Sequence, residues 1–275
     1  MKELIQWVVS RRFAVIAVAV VFAPSLSFVT AAVMALQMAY RGPVTAIGDA
    51  LIAALAVAVI ALLAGGGPPM VIDGCSAIAF GLLIGAIFRV ARNFGLSIQA
   101  LLLLAYAAVL LYSMFGPTTS VLLDEVFSQA LELLRSQGRS EVELAAMEAK
   151  RPRLIGAIAV ELLVRLLVIM AIAYWALGIA RNDRRLAVEF RQLRLGYVLG
   201  LPGVLIVIGA LVFENAVIHN LCGIAICGFA LQLLALLHQR AAEANWHPIT
   251  FVPVYVLGVP ILILFALLGV FGLDV

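Results

Sequence analysis

Long apolar runs, separated by short polar stretches, make up most of the chain. A helix needs about 20 apolar residues to cross a bilayer, and eight runs come close to that length or exceed it. They cover residues 13–38, 44–64, 70–90, 98–115, 154–180, 197–213, 216–237 and 250–273. The pattern predicts an all-α, polytopic transmembrane helical bundle of eight or nine membrane segments.

Pro24 lies inside the first apolar run and is expected to break it. Proline removes a backbone donor and clashes with the preceding helical turn. The hydroxyls of Ser25 and Ser27 can satisfy the backbone groups that the break sets free. Each half of the stretch 13–40 reaches only about 21 Å, which is short of the roughly 30 Å hydrocarbon core of a bilayer. We therefore predict a broken, partly re-entrant N-terminal hairpin whose first arm extends into residues 4–9. A single unbroken helix, and hence eight passes, is the alternative.

Between residues 116 and 153 the apolar spacing becomes that of a helix lying at an interface. Val126 and Leu133 recur at helical spacing, with Glu125 and Glu132 on the other side. Ser140-Glu-Val-Glu143 is a capping-box pattern that would start a second short helix. We predict an extracytoplasmic amphipathic helical hairpin that docks on the transmembrane body or on a partner. A solvated cap is the alternative.

Composition places the chain among membrane proteins. Of its 275 residues 65% are hydrophobic and 12% are charged, and the mean hydropathy is +1.17. These values lie outside the soluble globular class. No polar stretch is long enough for an independent domain. We therefore predict one membrane domain over 1–275, with N-terminal transmembrane helices at 13–115, amphipathic helices at 116–153 and C-terminal transmembrane helices at 154–275.

The net charge of +3 comes mostly from arginines in loops. No aromatic-basic module accompanies this charge, so the predicted partner is the lipid bilayer and not nucleic acid. The densest basic run predicts the orientation, because short loops rich in Lys and Arg stay in the cytoplasm. With nine passes the N-terminus is cytoplasmic and the C-terminus extracytoplasmic. The arginines of this topology or docking loop are Arg181, Arg184, Arg185, Arg191 and Arg194.

Ionisable side chains inside apolar runs are costly, and each is a candidate site. Glu161 and Arg165 stand four residues apart, on one helix face, and predict a structural intramembrane ion pair. Asp49 lies one turn into its predicted helix, near the positive end of the helix dipole. A helix-start role is the expectation for this carboxylate.

A polar ligand pocket is predicted on the extracytoplasmic side. Asp73 follows a Gly- and Pro-rich turn, where glycines let the backbone approach a ligand. Glu214, Asn215, His219 and Asn220 cluster at a tight turn between two long apolar runs, and Asn215 and His219 share a helix face. Together with Asp73 these residues predict a small-molecule site, and a solvated turn is the alternative.

Motifs of catalysis are missing from the sequence. It holds no nucleophile elbow, no phosphate-cradling loop and no His-Glu-x-x-His, so neither an enzyme nor a catalytic residue is predicted. Cys75, Cys222 and Cys227 lack metal-ligand spacing, and His219 has no second ligand near it. The cysteines are predicted to pack as apolar side chains, and no metal or cofactor is predicted.

Pairs of small residues recur at a spacing of four. Close helix packing in lipid favours such positions, because small side chains let two backbones approach. The pairs are Gly81-x-x-x-Gly85, Ala31-x-x-x-Ala35 and Gly196-x-x-x-Gly200.

Several short motifs resemble those of the YybS-like family of predicted bacterial membrane proteins. They are the N-terminal layout around Pro24, Glu189-Phe-Arg-Gln-Leu-Arg-Leu195 followed by Pro202, Ala235-Leu-Leu-His238 and Pro253-Val-Tyr255. This family is grouped with the substrate-binding S components of energy-coupling-factor transporters. The resemblance implies an S-component-like core at 13–115, in a protein of the bacterial cytoplasmic (inner) membrane that binds a small molecule for uptake. It also implies that Ala19-x-x-x-Ala23 or Ala31-x-x-x-Ala35 contacts a transport partner. A non-transporting subunit of a larger membrane complex, or a homo-oligomer, is the alternative.

Overall fold

The computed structural model describes residues 2–116, 121–149, 151–183 and 185–247, which form helices and the turns between them. The α-helices of this described part are α1 Lys2–Ser10, α2 Arg12–Phe22, α3 Ser27–Arg41, α4 Pro43–Leu63, α5 Gly67–Ala91, α6 Phe94–Phe115, α7 Val121–Ser136, α8 Glu141–Ala149, α9 Leu154–Arg181, α10 Leu186–Arg191, α11 Gly196–Val212 and α12 Ala216–Glu243. A 3-10 turn at Arg151–Arg153 precedes α9.

Five helical stretches in the described part are long and apolar enough to cross a membrane. They are α4, α5, α6, α12 and the stretch Arg151–Arg181 that contains α9. The apolar helices α2 and α11 are shorter, with 11 and 17 residues. The predicted run 250–273 lies outside the described residues. The chain is therefore a helical membrane protein, while the predicted count of eight or nine segments stays a prediction.

The break predicted at Pro24 is confirmed, because α2 ends at Phe22 and α3 begins at Ser27. The two helices pack side by side, and the Thr30 hydroxyl donates a hydrogen bond of 2.8 Å to the Ala19 carbonyl oxygen. The predicted extension of the first arm into residues 4–9 is wrong. Arg11 has an extended backbone, with φ −120° and ψ 113°, so residues 4–9 belong to the separate helix α1.

Two short helices, α7 and α8, occupy the segment that was expected to be amphipathic. The predicted capping box is formed: the Glu143 N–H donates to the Ser140 hydroxyl oxygen at 3.3 Å, and the Ser140 N–H donates to the Glu143 carboxylate at 3.2 Å. These reciprocal bonds satisfy backbone donors at the start of α8. The position of these helices outside the membrane stays a prediction.

Contacts within the chain divide it into two compact units that are interleaved in sequence. Unit 1 consists of Met1–Ala100 and Val164–Leu193, and unit 2 of Leu101–Leu163 and Arg194–Val275. Helices α6 and α9 each contribute residues to both units. The predicted single membrane domain stays a prediction.

The closest helix packing in unit 1 is between α3 and α5. A Cβ atom on Gly81 would lie 2.4 Å from the Ala31 carbonyl oxygen, and one on Gly85 would lie 2.6 Å from the Ala35 carbonyl oxygen. Two of the predicted small-residue pairs therefore face each other, and the glycines let the two backbones touch. By contrast, a Cβ atom on Gly200 of α11 would meet no atom of the described residues within 4 Å, so no contact in this part of the chain requires glycine there.

The alanine stripes that the family resemblance assigned to partner contact are buried inside unit 1. Ala19, Ala23, Ala31 and Ala35 each have 0% of their surface exposed. Ala19 and Ala23 belong to a hydrophobic cluster with residues of α3, α4 and α5, and Ala31 and Ala35 face α5. The predicted use of either stripe for a transport partner is therefore wrong, because neighbouring helices of this chain already cover both.

Candidate functional site

Asp73 and Arg165 meet between two of the candidate membrane spans of unit 1. Asp73 lies two turns into α5, and Arg165 lies in the middle of α9. The Arg165 Nη2 atom is 3.5 Å from Asp73 Oδ1 and also donates to the Ser27 hydroxyl at the start of α3. Asp73 and Arg165 side chains are 49% and 40% exposed. The predicted ligand residue Asp73 thus has a cationic and a hydroxyl neighbour.

The ion pair predicted between Glu161 and Arg165 is corrected by this geometry. The guanidinium of Arg165 turns to Asp73 and Ser27, whereas the Glu161 side chain is exposed. Spacing of four residues permits a pair on one helix face but contributes only a few tenths of a kcal/mol. The Asp73 carboxylate on α5 therefore competes successfully with Glu161 for the Arg165 guanidinium.

The other predicted ligand residues lie in unit 2, at the turn between α11 and α12. Asn215 is the N-cap of α12, and its side-chain oxygen accepts hydrogen bonds from the Val217 and Ile218 N–H groups at 2.9 and 3.3 Å. The His219 Nδ1 atom lies 2.9 Å from the Asn215 carbonyl oxygen. Glu214 is exposed. Asn215 therefore has a capping role, and the predicted pocket with Asp73 stays a prediction.

Asn220, the next residue after His219, is the most buried polar residue of unit 2 in the described part, with 4% of its surface exposed. Its side-chain oxygen accepts a hydrogen bond from the Gly156 N–H, and its amide nitrogen donates to the Pro152 carbonyl oxygen, both at 3.0 Å. The asparagine thereby joins α12 to the beginning of α9. Asn220 belongs to the polar cluster predicted at this turn, and its side chain bonds to backbone groups of this chain.

A second polar cluster of unit 1 is centred on Asp49, whose side chain is fully buried. Arg12 donates to Asp49 Oδ1 through Nε at 2.9 Å and through Nη2 at 2.7 Å, and Gln37 Nε2 donates to Oδ2 at 2.7 Å. These hydrogen bonds raise the pKa of Arg12 above its ordinary value, so the guanidinium stays charged. The helix-start role expected for Asp49 is wrong, because the carboxylate instead ties α2, α3 and α4 together.

The five arginines of the predicted topology loop have different surroundings. Arg181 donates to the Ala39 carbonyl oxygen at 3.1 Å, Arg185 pairs with Asp183 at 3.0 Å, and Arg191 donates to the Ala187 carbonyl oxygen at 2.9 Å. In unit 2, Arg194 donates to the Gln239 side chain at 2.8 Å. Arg184 lies outside the described residues.

A cavity of about 340 Å³ opens at the end of unit 1 where α3, α5 and α9 terminate. Its lining residues are Ala39, Phe88, Arg89, Arg92, Tyr174, Leu177 and Arg181. The three guanidinium groups lie on exposed residues, while Phe88 and Leu177 are buried beneath them. The Tyr174 hydroxyl donates to the Glu189 carboxylate at 2.5 Å, and its ring packs edge-on against Phe88 at 5.2 Å.

Contacts at this end of unit 1 also hold the N-terminal helix. Gln6 donates to the Ala180 carbonyl oxygen, and Lys2 donates to the Asn182 side chain, both at 3.2 Å. The N-terminus, the cavity arginines and the start of the basic loop therefore lie at one end of the unit. Because short loops rich in Lys and Arg stay in the cytoplasm, this end is predicted to face the cytoplasm.

Fold and polar clusters together define a helical integral membrane protein with charged groups set between its apolar helices. Comparison of the chain with protein-family models, with curated proteins and with solved structures finds no match.

Proposed function

We propose that this membrane protein binds a polar small molecule through Asp73 and Arg165, as an S-component-like protein of the bacterial cytoplasmic membrane, for uptake. The observation that carries the proposal is the loose ion pair between these side chains, 3.5 Å apart and 40–49% exposed. Charges within membrane spans are costly and usually face a polar cavity or a substrate path. A pair that only held two helices together would be expected to be shorter and buried.

The free hydrogen-bonding groups of the pair indicate the class of ligand. In the described part of the chain, both contacts of Arg165 use Nη2, which leaves Nε and Nη1 without an acceptor. Asp73 uses Oδ1 alone and keeps Oδ2 as an acceptor. A solute with an anionic group for Arg165 and a hydrogen-bond donor for Asp73 satisfies both side chains.

The location of the pair supports capture from outside the cell. At 1.5 Å per residue, Asp73 lies about 9 Å along α5 from Gly67, and Arg165 lies about 17 Å along α9 from Leu154. The predicted topology makes the Gly67 end extracytoplasmic, and the resemblance to the YybS-like family implies capture on that face. Glu214 and His219 remain predicted contributors from unit 2.

Native mass spectrometry of the protein, solubilised gently from its own membranes, tests this proposal. We expect a reproducible small-molecule adduct on the wild-type chain, and its loss in Asp73→Asn and in Arg165→Gln. Glu161→Gln is the matched control, since it removes a charge from α9 one turn away and leaves the pair intact. Retention of the adduct in both pair variants, or no adduct on the wild-type protein, contradicts the proposal.

A second candidate function is that of a non-transporting subunit of a larger membrane complex. The exposed apolar side chains of α7 and α8 favour it: Leu133 is 59%, Val142 80% and Met147 42% exposed. Native electrophoresis of the same solubilised sample tests this alternative. Co-migrating subunits that Val142→Glu releases, without any small-molecule adduct, would support the subunit function over ligand binding.

A further inference from the structure

The arginine cavity at the terminal end of α3, α5 and α9 is a site that the proposed function does not use. Its volume of about 340 Å³ lies in the range of ~300–1,000 Å³ that is typical of small-molecule sites. All of its lining residues belong to unit 1. Phe88 and Leu177 form an apolar floor, and the arginines form a basic rim.

Two of the three rim arginines have no acceptor for their guanidinium groups in the part of the chain that the structure describes. Among the described residues, neither Arg89 nor Arg92 makes a side-chain hydrogen bond or an ion pair, whereas Arg181 donates to a backbone carbonyl at 3.1 Å. Like charges that share one cavity repel each other, and this repulsion is relieved by a bound anion. Arginines that only cap helix ends donate to backbone carbonyl groups, whereas the guanidinium N–H groups of Arg89 and Arg92 remain available to a ligand.

The backbone at Arg92 shows that this position does not suit an ordinary side chain. Arg92 is the C-cap of α5 and adopts the left-handed conformation, with φ 54° and ψ 4°. Glycine is the residue that usually occupies such a cap, because a Cβ atom is unfavourable there. Arg92 therefore places a cation at the cavity rim, in a backbone conformation that glycine would adopt with less strain.

The Glu189 carboxylate contacts a lining residue of the cavity without lining it. Glu189 accepts hydrogen bonds from the Tyr174 hydroxyl at 2.5 Å and from the Phe94 N–H at 2.8 Å, and it does not line the cavity. The described residues that line the cavity therefore include three positively charged side chains and no negatively charged one. Planar guanidinium groups bind phosphate oxygens in pairs, which makes a cluster of arginines selective for phosphate over a simple halide.

We propose that the cavity lined by Arg89, Arg92 and Arg181 binds a phosphate group, carried either by an anionic phospholipid or by a free phosphate compound. Basic pockets between membrane helices on the cytoplasmic side are suited to anionic headgroups. The apolar floor of Phe88 and Leu177 accommodates the uncharged part of either ligand.

Arginine-directed labelling with phenylglyoxal, read by peptide mass spectrometry, tests the proposal on the full-length wild-type protein. The probes are inorganic pyrophosphate in detergent and phosphatidylglycerol in nanodiscs, with phosphatidylcholine nanodiscs and sodium chloride as references. We expect slower labelling of Arg89 and Arg92 with at least one phosphate probe, and unchanged labelling of Arg185. Protection by phosphatidylglycerol alone identifies a lipid headgroup, and protection by pyrophosphate identifies a soluble phosphate compound. Equal labelling under all conditions overturns the proposal.

Affinity measurements on paired variants provide the second readout. We expect Arg89→Gln/Arg92→Gln to weaken binding of the protecting probe about tenfold or more, because two charge-assisted contacts are lost. The control Arg185→Gln/Arg191→Gln removes the same charge from unit 1 outside the cavity, and we expect a change below about twofold, as for screened surface charges. Equal losses in both double variants would show general electrostatic attraction and overturn the site.

Discussion

Replacing Gly85 by alanine tests the contact that holds α3 against α5. The new Cβ atom would lie 2.4 Å from Met38 Cβ and 2.6 Å from the Ala35 carbonyl oxygen. Non-bonded carbon atoms prefer separations of about 3.5–4.0 Å. The Ala35 oxygen belongs to the backbone and cannot rotate away, so the two helices have to separate by about 1 Å to reach an ordinary contact distance.

Two opposing effects set the size of the expected change. Overpacking a close contact costs about 1–3 kcal/mol, and the two short contacts at Gly85 place this substitution near the upper end. Alanine also has a better helix propensity than glycine, by up to ~1 kcal/mol. We expect Gly85→Ala to lower the free energy of unfolding by about 1–2 kcal/mol.

Thermal unfolding in a fixed detergent, followed by circular dichroism, measures the effect. Gly200→Ala is the matched control, since a Cβ atom on this helical glycine would meet nothing within 4 Å. Gly200→Ala gains helix propensity without a steric clash, so the midpoint temperature of its thermal unfolding is expected to stay the same or rise. A Gly85→Ala protein as stable as the wild type would refute the packing argument.

Three further predictions concern the buried polar residues and the topology. Asp49→Ala leaves the buried Gln37 amide without its carboxylate acceptor, and we expect a loss of about 1–3 kcal/mol in the same unfolding assay; an unchanged midpoint would contradict the role of the carboxylate. Asn220→Ala removes the acceptor of the Gly156 N–H, so hydrogen exchange at the beginning of α9 is expected to accelerate, whereas unaltered protection there would show that the bridge is dispensable. A reporter active only in the cytoplasm is expected to work at the N-terminus and not at the C-terminus, and a positive C-terminus excludes nine passes.

Features that depend on local sequence could be predicted well. The break at Pro24 follows from the chemistry of proline itself, and the capping box at Ser140 follows from residues three positions apart. The small-residue spacing around Gly81 indicated close packing, although the identity of the partner helix could not be read from it. In each case the interacting groups are near in sequence, or the signal lies in a single residue type.

Charged partners from distant parts of the chain could not be predicted. Arg165 was expected to pair within its own helix, yet it contacts Asp73, which lies 92 residues away. Asp49 was expected near a helix start, yet it binds Arg12, 37 residues earlier in the chain. A buried or half-buried charge takes whichever opposite charge the tertiary packing brings close, because pairing within one helix contributes little. Nothing in the spacing of residues reveals that choice.

The polar groups of unit 1 divide between its two ends. The start of α2, the start of α4 and the ends of α3, α5 and α9 meet at one end, which holds the Asp49 cluster and the arginine cavity. The Asp73–Arg165 pair lies toward the other end, beyond the close contact of Gly81 with Ala31. A glycine packed against backbone leaves no room for a solute between α3 and α5. Under the proposed function, a ligand held at Asp73 therefore passes between α3 and α5 only if these helices separate, so the packing of Gly81 and Gly85 closes that route and also stabilises unit 1.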